Sequence, residues 1–321
     1  MSSTCWRHCA QKGSLADRRR PLAGLNRSEL ARGSLRAAMR LRMQLDIPST
    51  EATCIYDVAE KLGIELRFVD IPSMEGMYVR ASTNDSQPII LVSALRPAGR
   101  QATTAAHELG HHVFGHGTRI DEYITSDDDP GEPTTTLDPE EFAANVFAGF
   151  FLMPKVAVDR AFAVRGWTPI GAQPHQVFAI AGWLGVGYST LIHHMRSSLG
   201  MLSKPQVKVL LSVQPKRIRQ QIVGRATSTD CFLLNHPWTG RALDMQVGDV
   251  ALVDTSSTLE GGLLELAGAA PNGLWIAEAI APGIGRIATP TWATFVRVRR
   301  RGFVGRSIFR HLETVNDDEQ V

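Results

Sequence analysis

The spacing of apolar positions changes several times along the chain, and each change predicts an element. Residues 51–63 carry a helical period that closes at Gly63. Residues 65–71 read as a strand, and 77–80 and 88–93 as two shorter ones, the last rich in β-branched Ile89, Ile90 and Val92. A helix is predicted over 99–114, because Ala102, Ala105, Leu109 and Val113 recur at three- or four-residue steps. Another begins after Asp138-Pro139, where Asp suits the cap and Pro the first turn. Residues 174–185 and 188–199 form a helical pair joined at Gly185-Val186-Gly187. From about residue 224 the runs at 249–254, 262–269, 274–282 and 294–300 are short, apolar or alternating, and divided by Gly, Pro and Asn. The pattern predicts an α+β chain ending in a β-rich domain, a small barrel or sandwich.

The 99–114 helix carries His107-Glu108-Leu109-Gly110-His111. Side chains four apart on a helix stand one turn above the other, about 6 Å of axial rise apart. Both imidazoles can therefore reach one Zn²⁺, while Glu108 points beside the pair, where it can take a proton from metal-bound water. Catalytic zinc usually has three protein ligands, so the third is needed. A Gly three residues and a His six residues beyond the second His would mark one class, but Phe114 and Gly117 stand there. His116 falls one residue short.

A carboxylate from the helix after Pro139 is the alternative. Glu141, Ala144, Asn145 and Ala148 share one of its faces, and the alanines allow a close approach to the first helix. Glu141 would complete a His₂Glu site, with Asn145 one turn on to hydrogen-bond a ligand; Glu140 points elsewhere and ranks second. His112, His116, Tyr78 and Tyr123 are candidates for stabilising an oxyanion, and spacing does not choose among them.

These residues carry a resemblance. The run His107–His111, followed by Glu141-x-x-Ala144-Asn145-x-Phe147-Ala148 and Leu152-Met153-Pro154, resembles the ImmA/IrrE metallopeptidases. The likeness covers about residues 50–200, including Ala59–Ile64, Gly76-Met77-Tyr78, Ile89–Val92 and Thr104–Ala106. It implies a zincin-like core, in which a small sheet precedes the HExxH helix and the Glu-bearing helix. It also implies zinc held by His107, His111 and Glu141, Glu108 as general base, and a protein substrate such as a helix-turn-helix repressor of stress or mobile-element genes. Many members carry a second Glu two residues before the Asn. Here Ala143 stands in that place, which favours Glu141. The competing readings are a metal-containing transcriptional regulator, or an interaction protein without proteolytic turnover.

Charge changes the picture at the N-terminus. The chain is +2 overall, but residues 1–45 hold ten Lys and Arg against two acids. Arg18-Arg19-Arg20 and the series Arg32, Arg36, Arg40 predict a basic, disordered arm running into a helix, which could touch nucleic acid. The same residues fit translated sequence ahead of a start near Met39 or Met43. The division expected is an arm (1–45), a peptidase domain with the helical pair (46–203), a linker helix (204–223), a β-rich domain (224–312) and an acidic tail (313–321). In the helical pair, His193, His194 and Arg196 are expected to face outward, and DNA reading by this element is the minor alternative to a structural role. Arg297 and Arg299, alternating with Val296 and Val298, predict the solvent face of an edge strand.

Residues 117–137, with Asp127-Asp128-Asp129, Pro130 and Pro133, read as an irregular connector or an acidic flap over the cleft. Cys5, Cys9, Cys54 and Cys231 are too scattered for a disulfide framework, and Cys5, His8 and Cys9 make only a weak metal motif. No run of eighteen apolar residues and no apolar region after the first basic residues is evident. A cytoplasmic protein without membrane contact is expected.

Overall fold

The computed structural model describes residues 26–83, 86–122 and 138–312. Helix α1 (Arg27–Gln44) opens with a capping box between Asn26 and Glu29. Helix α2 (Ile55–Lys61) leads into strands β1 (Glu65–Val69), β2 (Met74–Val79) and β3 (Ile89–Ser93). Helix α3 (Ala98–Phe114) carries the histidine motif, and strand β4 (Arg119–Glu122) follows it. Helices α4 (Pro139–Leu152), α5 (Lys155–Ala163), α6 (Pro174–Leu184) and α7 (Tyr188–Ser197) come next. The expected linker helix is two helices, α8 (Lys204–Leu211) and α9 (Pro215–Val223).

The N-terminal reading needs correction. Over Arg27–Gln44 the expected disordered arm is an amphipathic helix packed on α4. It buries Leu30, Ser34, Ala38 and Leu41, and turns Arg32, Arg36 and Arg40 to solvent. Arg42 is 1% exposed. Its guanidinium donates to the carbonyls of Phe151 and Pro48 at 2.6 Å, and to that of Glu51. A chain starting near Met39 would lack most of this helix. Arg18-Arg19-Arg20 and the Cys5–Cys9 motif lie outside the described residues.

The remainder is β-rich: β5 (Cys231–Leu233), β6 (Leu243–Gln246), β7 (Val250–Val253), β8 (Thr258–Glu260), β9 (Leu264–Ala269), β10 (Trp275–Ala279), β11 (Gly283–Ala288), β12 (Ala293–Arg299) and β13 (Gly305–Arg306). Eight of these strands make two four-stranded sheets, ordered β5-β7-β10-β9 and β6-β12-β11-β8. The ninth, β13, crosses over and pairs with β1, giving the N-terminal sheet the order β13-β1-β3-β2-β4. One continuous apolar core runs from Phe68, Ile90 and Leu109 through Trp238 to Val296 and Val298. The β-rich part therefore shares its interior with the helical part.

That sharing explains a second correction. Strand β12 lies between β6 and β11, and its arginines face the helical part, not solvent. Arg299 donates to Gln101 Oε1 at 2.6 Å and lies over the Phe68 ring. Arg297 and Arg310 both bind Asp57 and Asp244, at 2.6–3.1 Å. Period-two alternation marks two faces, and the second here meets another layer. The helical pair is likewise internal. Leu191, Ile192, His194 and Met195 are buried, and His194 Nε2–H donates to the Met153 carbonyl at 3.0 Å, so His194 does not face outward.

Residues 139–163 are apolar and long enough to cross a membrane, contrary to the expectation that no such stretch exists. The segment breaks into α4 and α5 at Met153-Pro154, and 61% of its most apolar window is buried in the protein. Its composition is that of core helices.

Because Arg42 is the only side chain filling those three carbonyls among the described residues, Arg42→Ala is expected to lower unfolding free energy by about 3 kcal/mol, each charged hydrogen bond contributing roughly 1.5–3 before relaxation. Arg40→Ala, on the exposed face of the same helix, should stay within about 0.5 kcal/mol of wild type. Urea denaturation of both variants checks this.

Candidate metal centre

Helix α3 buries Ala105, Ala106 and Leu109 in the core, and His107, Glu108 and His111, which point in other directions around the helix, are buried as well. Gly110 lets α4 come close: a Cβ there would stand 3.0 Å from Ala144 Cα and 3.2 Å from Ala144 O. Asp138 caps α4 by accepting from the Glu140 N–H at 3.1 Å. Glu141 is thereby placed one turn before the contact, and Asn145 directly beside it.

The three expected ligands converge. His107 Nε2 and His111 Nε2 are 3.0 Å apart. Glu141 Oε2 lies 3.2 Å from the first and 3.5 Å from the second. Tetrahedral coordination with bonds of about 2.0–2.1 Å requires donor separations of roughly 3.3–3.4 Å. The triangle has that size. Glu140 instead pairs with Arg119, which also holds Asp138 at 3.1 Å and approaches Glu141 Oε1 at 3.7 Å.

The outer nitrogens are held as well. His107 Nδ1–H donates to Asn145 Oδ1 at 3.1 Å, which leaves Nε2 free to ligate. His111 Nδ1 meets His116 Nδ1 at 2.8 Å. His116 reaches back because Gly115 ends α3 in the left-handed conformation, φ 69°. Tyr78 hydroxyl pairs with His112 Nδ1 at 3.1 Å. Neither Tyr78, His112 nor His116 lines the cavity that reaches the triangle, and Tyr123 lies outside the described residues.

Three residues that sequence reasoning missed or misplaced complete the surroundings. His116, a candidate for stabilising an oxyanion in the sequence, instead lies against His111; a His directly after a helix-ending glycine is the signal for that place. Asp121, on β4, sits 3.2 Å from His107 Nε2, and with His107 and Glu108 forms a second potential ligand group. Arg119 comes from the same strand. Both lay inside the span read as an irregular connector, and pairing with β2 across Gly76, Met77 and Tyr78 is what makes it a strand. The rest of that connector, including Asp127-Asp128-Asp129, lies outside the described residues.

The electrostatics are those of a site short of positive charge. Glu108 is fully buried, and neither carboxylate oxygen has a hydrogen-bond partner among the described residues. Burial pushes its pKa well above the usual carboxylate range; the Asp121 and Glu141 charges add to this and the His107 charge opposes it. Burial would lower the His107 pKa, but hydrogen bonds to Asp121 and Glu141 raise it to about 10. Hydrogen bonds from His107 and His111 hold Glu141 far below its ordinary value. Two imidazole nitrogens and one carboxylate oxygen, with an unpartnered buried carboxyl beside them, fit a divalent cation of zinc's preferences.

Residues 59–193 match the family model described as the IrrE N-terminal-like domain, a peptidase family. That span is similar to an IrrE N-terminal-like domain. Comparison with curated proteins returns no match. The IrrE N-terminal-like span begins within α2 and ends within α7, so it contains His107, Glu108, His111, Glu141 and Asn145. Helix α1 and the β-rich part lie outside it, although both pack against it. The helical pair belongs mostly to the IrrE N-terminal-like span, consistent with its buried position.

Glu141→Ala should abolish tight metal binding, while Asn145→Ala and His116→Ala should each weaken it about 10–100-fold through loss of the outer hydrogen bonds. Glu140→Gln should leave metal affinity unchanged. Competition with a zinc chelator reads all four. Gly76→Ala is expected to disturb the centre sterically, since its Cβ would stand 2.5 Å from Thr104 Cγ2 and 2.6 Å from Glu108 Oε1. The signature would be loss of activity with Glu108 unchanged.

Proposed function

We propose that this protein is a zinc-dependent metalloendopeptidase with a zincin-like core, made of the N-terminal sheet, α3 and α4. The observation that carries the reading is the donor triangle of His107, His111 and Glu141 with the buried, unpartnered Glu108 carboxyl at its side. Zinc, when bound, supplies a Lewis acid that polarises a carbonyl and acidifies water.

The chain's own residues do the rest. A Glu108 carboxylate oxygen accepts the proton of the attacking water and returns it to the nitrogen of the leaving amine. Asn145 and His116 hold the two imidazoles in the tautomer that leaves each Nε2 free. Gly76 keeps the space in which the Glu108 carboxyl turns. Arg119 fixes the unligated oxygen of Glu141 and ties β4 to α4.

Strand β4 is an edge of its sheet, and Ile120 on it is 60% exposed. An extended substrate segment could add to that edge through main-chain hydrogen bonds, which bind a peptide with little dependence on side chains. A cavity of about 1130 Å³ runs from the triangle, past Thr103, Arg100 and the start of α3, towards the β-rich part. The substrate class we assign is a regulatory protein of the helix-turn-helix repressor kind, cleaved in the cytoplasm. The warrant is the resemblance of the motif residues to the ImmA/IrrE peptidases.

Glu108→Gln keeps the ligands and the size of the side chain but removes the base. It is expected to retain stoichiometric zinc by elemental analysis and to lose cleavage of a co-expressed repressor by about 10²–10⁴-fold. A Glu108→Gln protein with full biological function would replace the peptidase reading with that of a regulator without turnover.

A further inference from the structure

The far end of the same cavity lies between α6 and the start of α7, which fall within the matched span, and α9 and the β-rich sheets, which fall outside it, and it has a different chemistry. Its acids already have partners. Asp244 is held by Arg297 and Arg310. Asp249 accepts from the N–H groups of Asp230 and Gln246, each at 2.9 Å. Asp230 meets the Ala98 N–H at the start of α3 and lies 3.6 Å from Arg219. Glu75, towards the middle of the cavity, is bound by Arg96 and Arg100.

The cations are in surplus. Arg241 lines the cavity with its guanidinium over the rings of Trp183 and Trp238, at 5.4 and 5.2 Å. Its Nη1 is buried and has no hydrogen-bond partner among the described residues, and neither has Nε of Arg219. Asp244 and Glu51 are the negative charges that act on Arg241, but a buried guanidinium N–H without a hydrogen-bond partner is still costly, because its lost hydration is not replaced. Lys216 adds a third charge at the rim. The first turns of α7 and α9, helices of 10 and 9 residues, also line this end, and no side-chain hydrogen bond caps either of them. Free N–H groups at a helix start favour an oxyanion. Phe178, Phe232 and Trp238 supply apolar surface beside the charges.

We propose that this end of the cavity is a binding site for a small organic phosphate, whose phosphoryl group meets Arg241, Arg219 and Lys216 and whose body packs on the aromatic side chains. A phosphate fits better than a single carboxylate because it can accept from several donors at once, and the cavity is lined by cations from different elements. The site does not depend on whether the metal centre turns over.

The test uses the full-length, metal-loaded protein with adenosine monophosphate, inorganic phosphate or adenosine at fixed ionic strength, read by calorimetry and thermal unfolding. Adenosine monophosphate should bind and raise Tm, inorganic phosphate should bind more weakly, and adenosine should do neither. Arg241→Met should weaken adenosine monophosphate binding at least tenfold while its Tm without ligand equals or exceeds wild type, since a buried N–H without a hydrogen-bond partner is removed. Lys216→Ala, at the exposed rim, should weaken binding severalfold without a change in Tm, and it serves if Arg241→Met does not fold. Failure of wild type to bind either anion overturns the proposal, as does equal binding by adenosine or by both variants. If wild type ignores both anions but Arg241→Met raises KM for an acidic protein substrate, the cavity end is a substrate subsite and the proposal falls.

Discussion

The close approach of α3 and α4 at Gly110 and Ala144 governs the rest of the candidate metal centre. With only 3.0 Å between a notional Gly110 Cβ and Ala144 Cα, the two backbones are nearly in contact. That distance brings Glu141 over the paired imidazoles from one turn away and lets Asn145 reach the outer nitrogen of His107. A larger residue at position 110 would push α4 outward and open the donor triangle. On the other side of α3, Gly76 on β2 performs the same service for Glu108, whose carboxyl occupies the space a side chain there would fill. Two glycines on two elements thus set how tightly the reactive groups are gathered.

Charge follows the long axis of α3. Its N-terminus, where the helix dipole is positive, meets Asp230 from the β-rich part. Its C-terminal half carries the imidazoles, and Glu108, Asp121 and Glu141 stand around them. A cation at the triangle completes a field that the protein leaves unbalanced. At the opposite end of the cavity it is a guanidinium N–H of Arg241 that has no hydrogen-bond partner among the described residues. One continuous cavity therefore connects a carboxylate-rich end to an arginine-rich end.

The β-rich part contributes directly to this arrangement. It supplies β13 to the N-terminal sheet, Arg299 to Gln101 on α3, and Arg297 and Arg310 to Asp57 on α2. These partly buried ion pairs are specific in direction, since removing either member leaves a charge without its partner. The interface fixes how α2 and α3 sit, so the β-rich part positions the centre although it contributes no ligand to the triangle.

Much of the centre was legible in the residues themselves. The four-residue spacing of His107 and His111, and of Glu141 and Asn145, expresses the 3.6-residue helical period, which acts locally and needs no tertiary contact to be read. Ala144 and Ala148 pointed to a close helix pair for the same reason, while the part of Gly110 in that approach appears only in the fold. Asp121 and Arg119 were not legible as site residues, nor was the place of His116 beside His111, because a strand pairing and a left-handed turn bring them in, and both depend on partners distant in sequence or on backbone geometry. The alternation of Arg297 and Arg299 with valines established two faces of β12 but not what each face meets. Basic spacing along 32–40 marked a helix face, while the packing of the opposite face on α4 decided that the segment is part of the fold. Periodicity determines which side chains share a direction; what lies in that direction is decided by the chain folding back on itself.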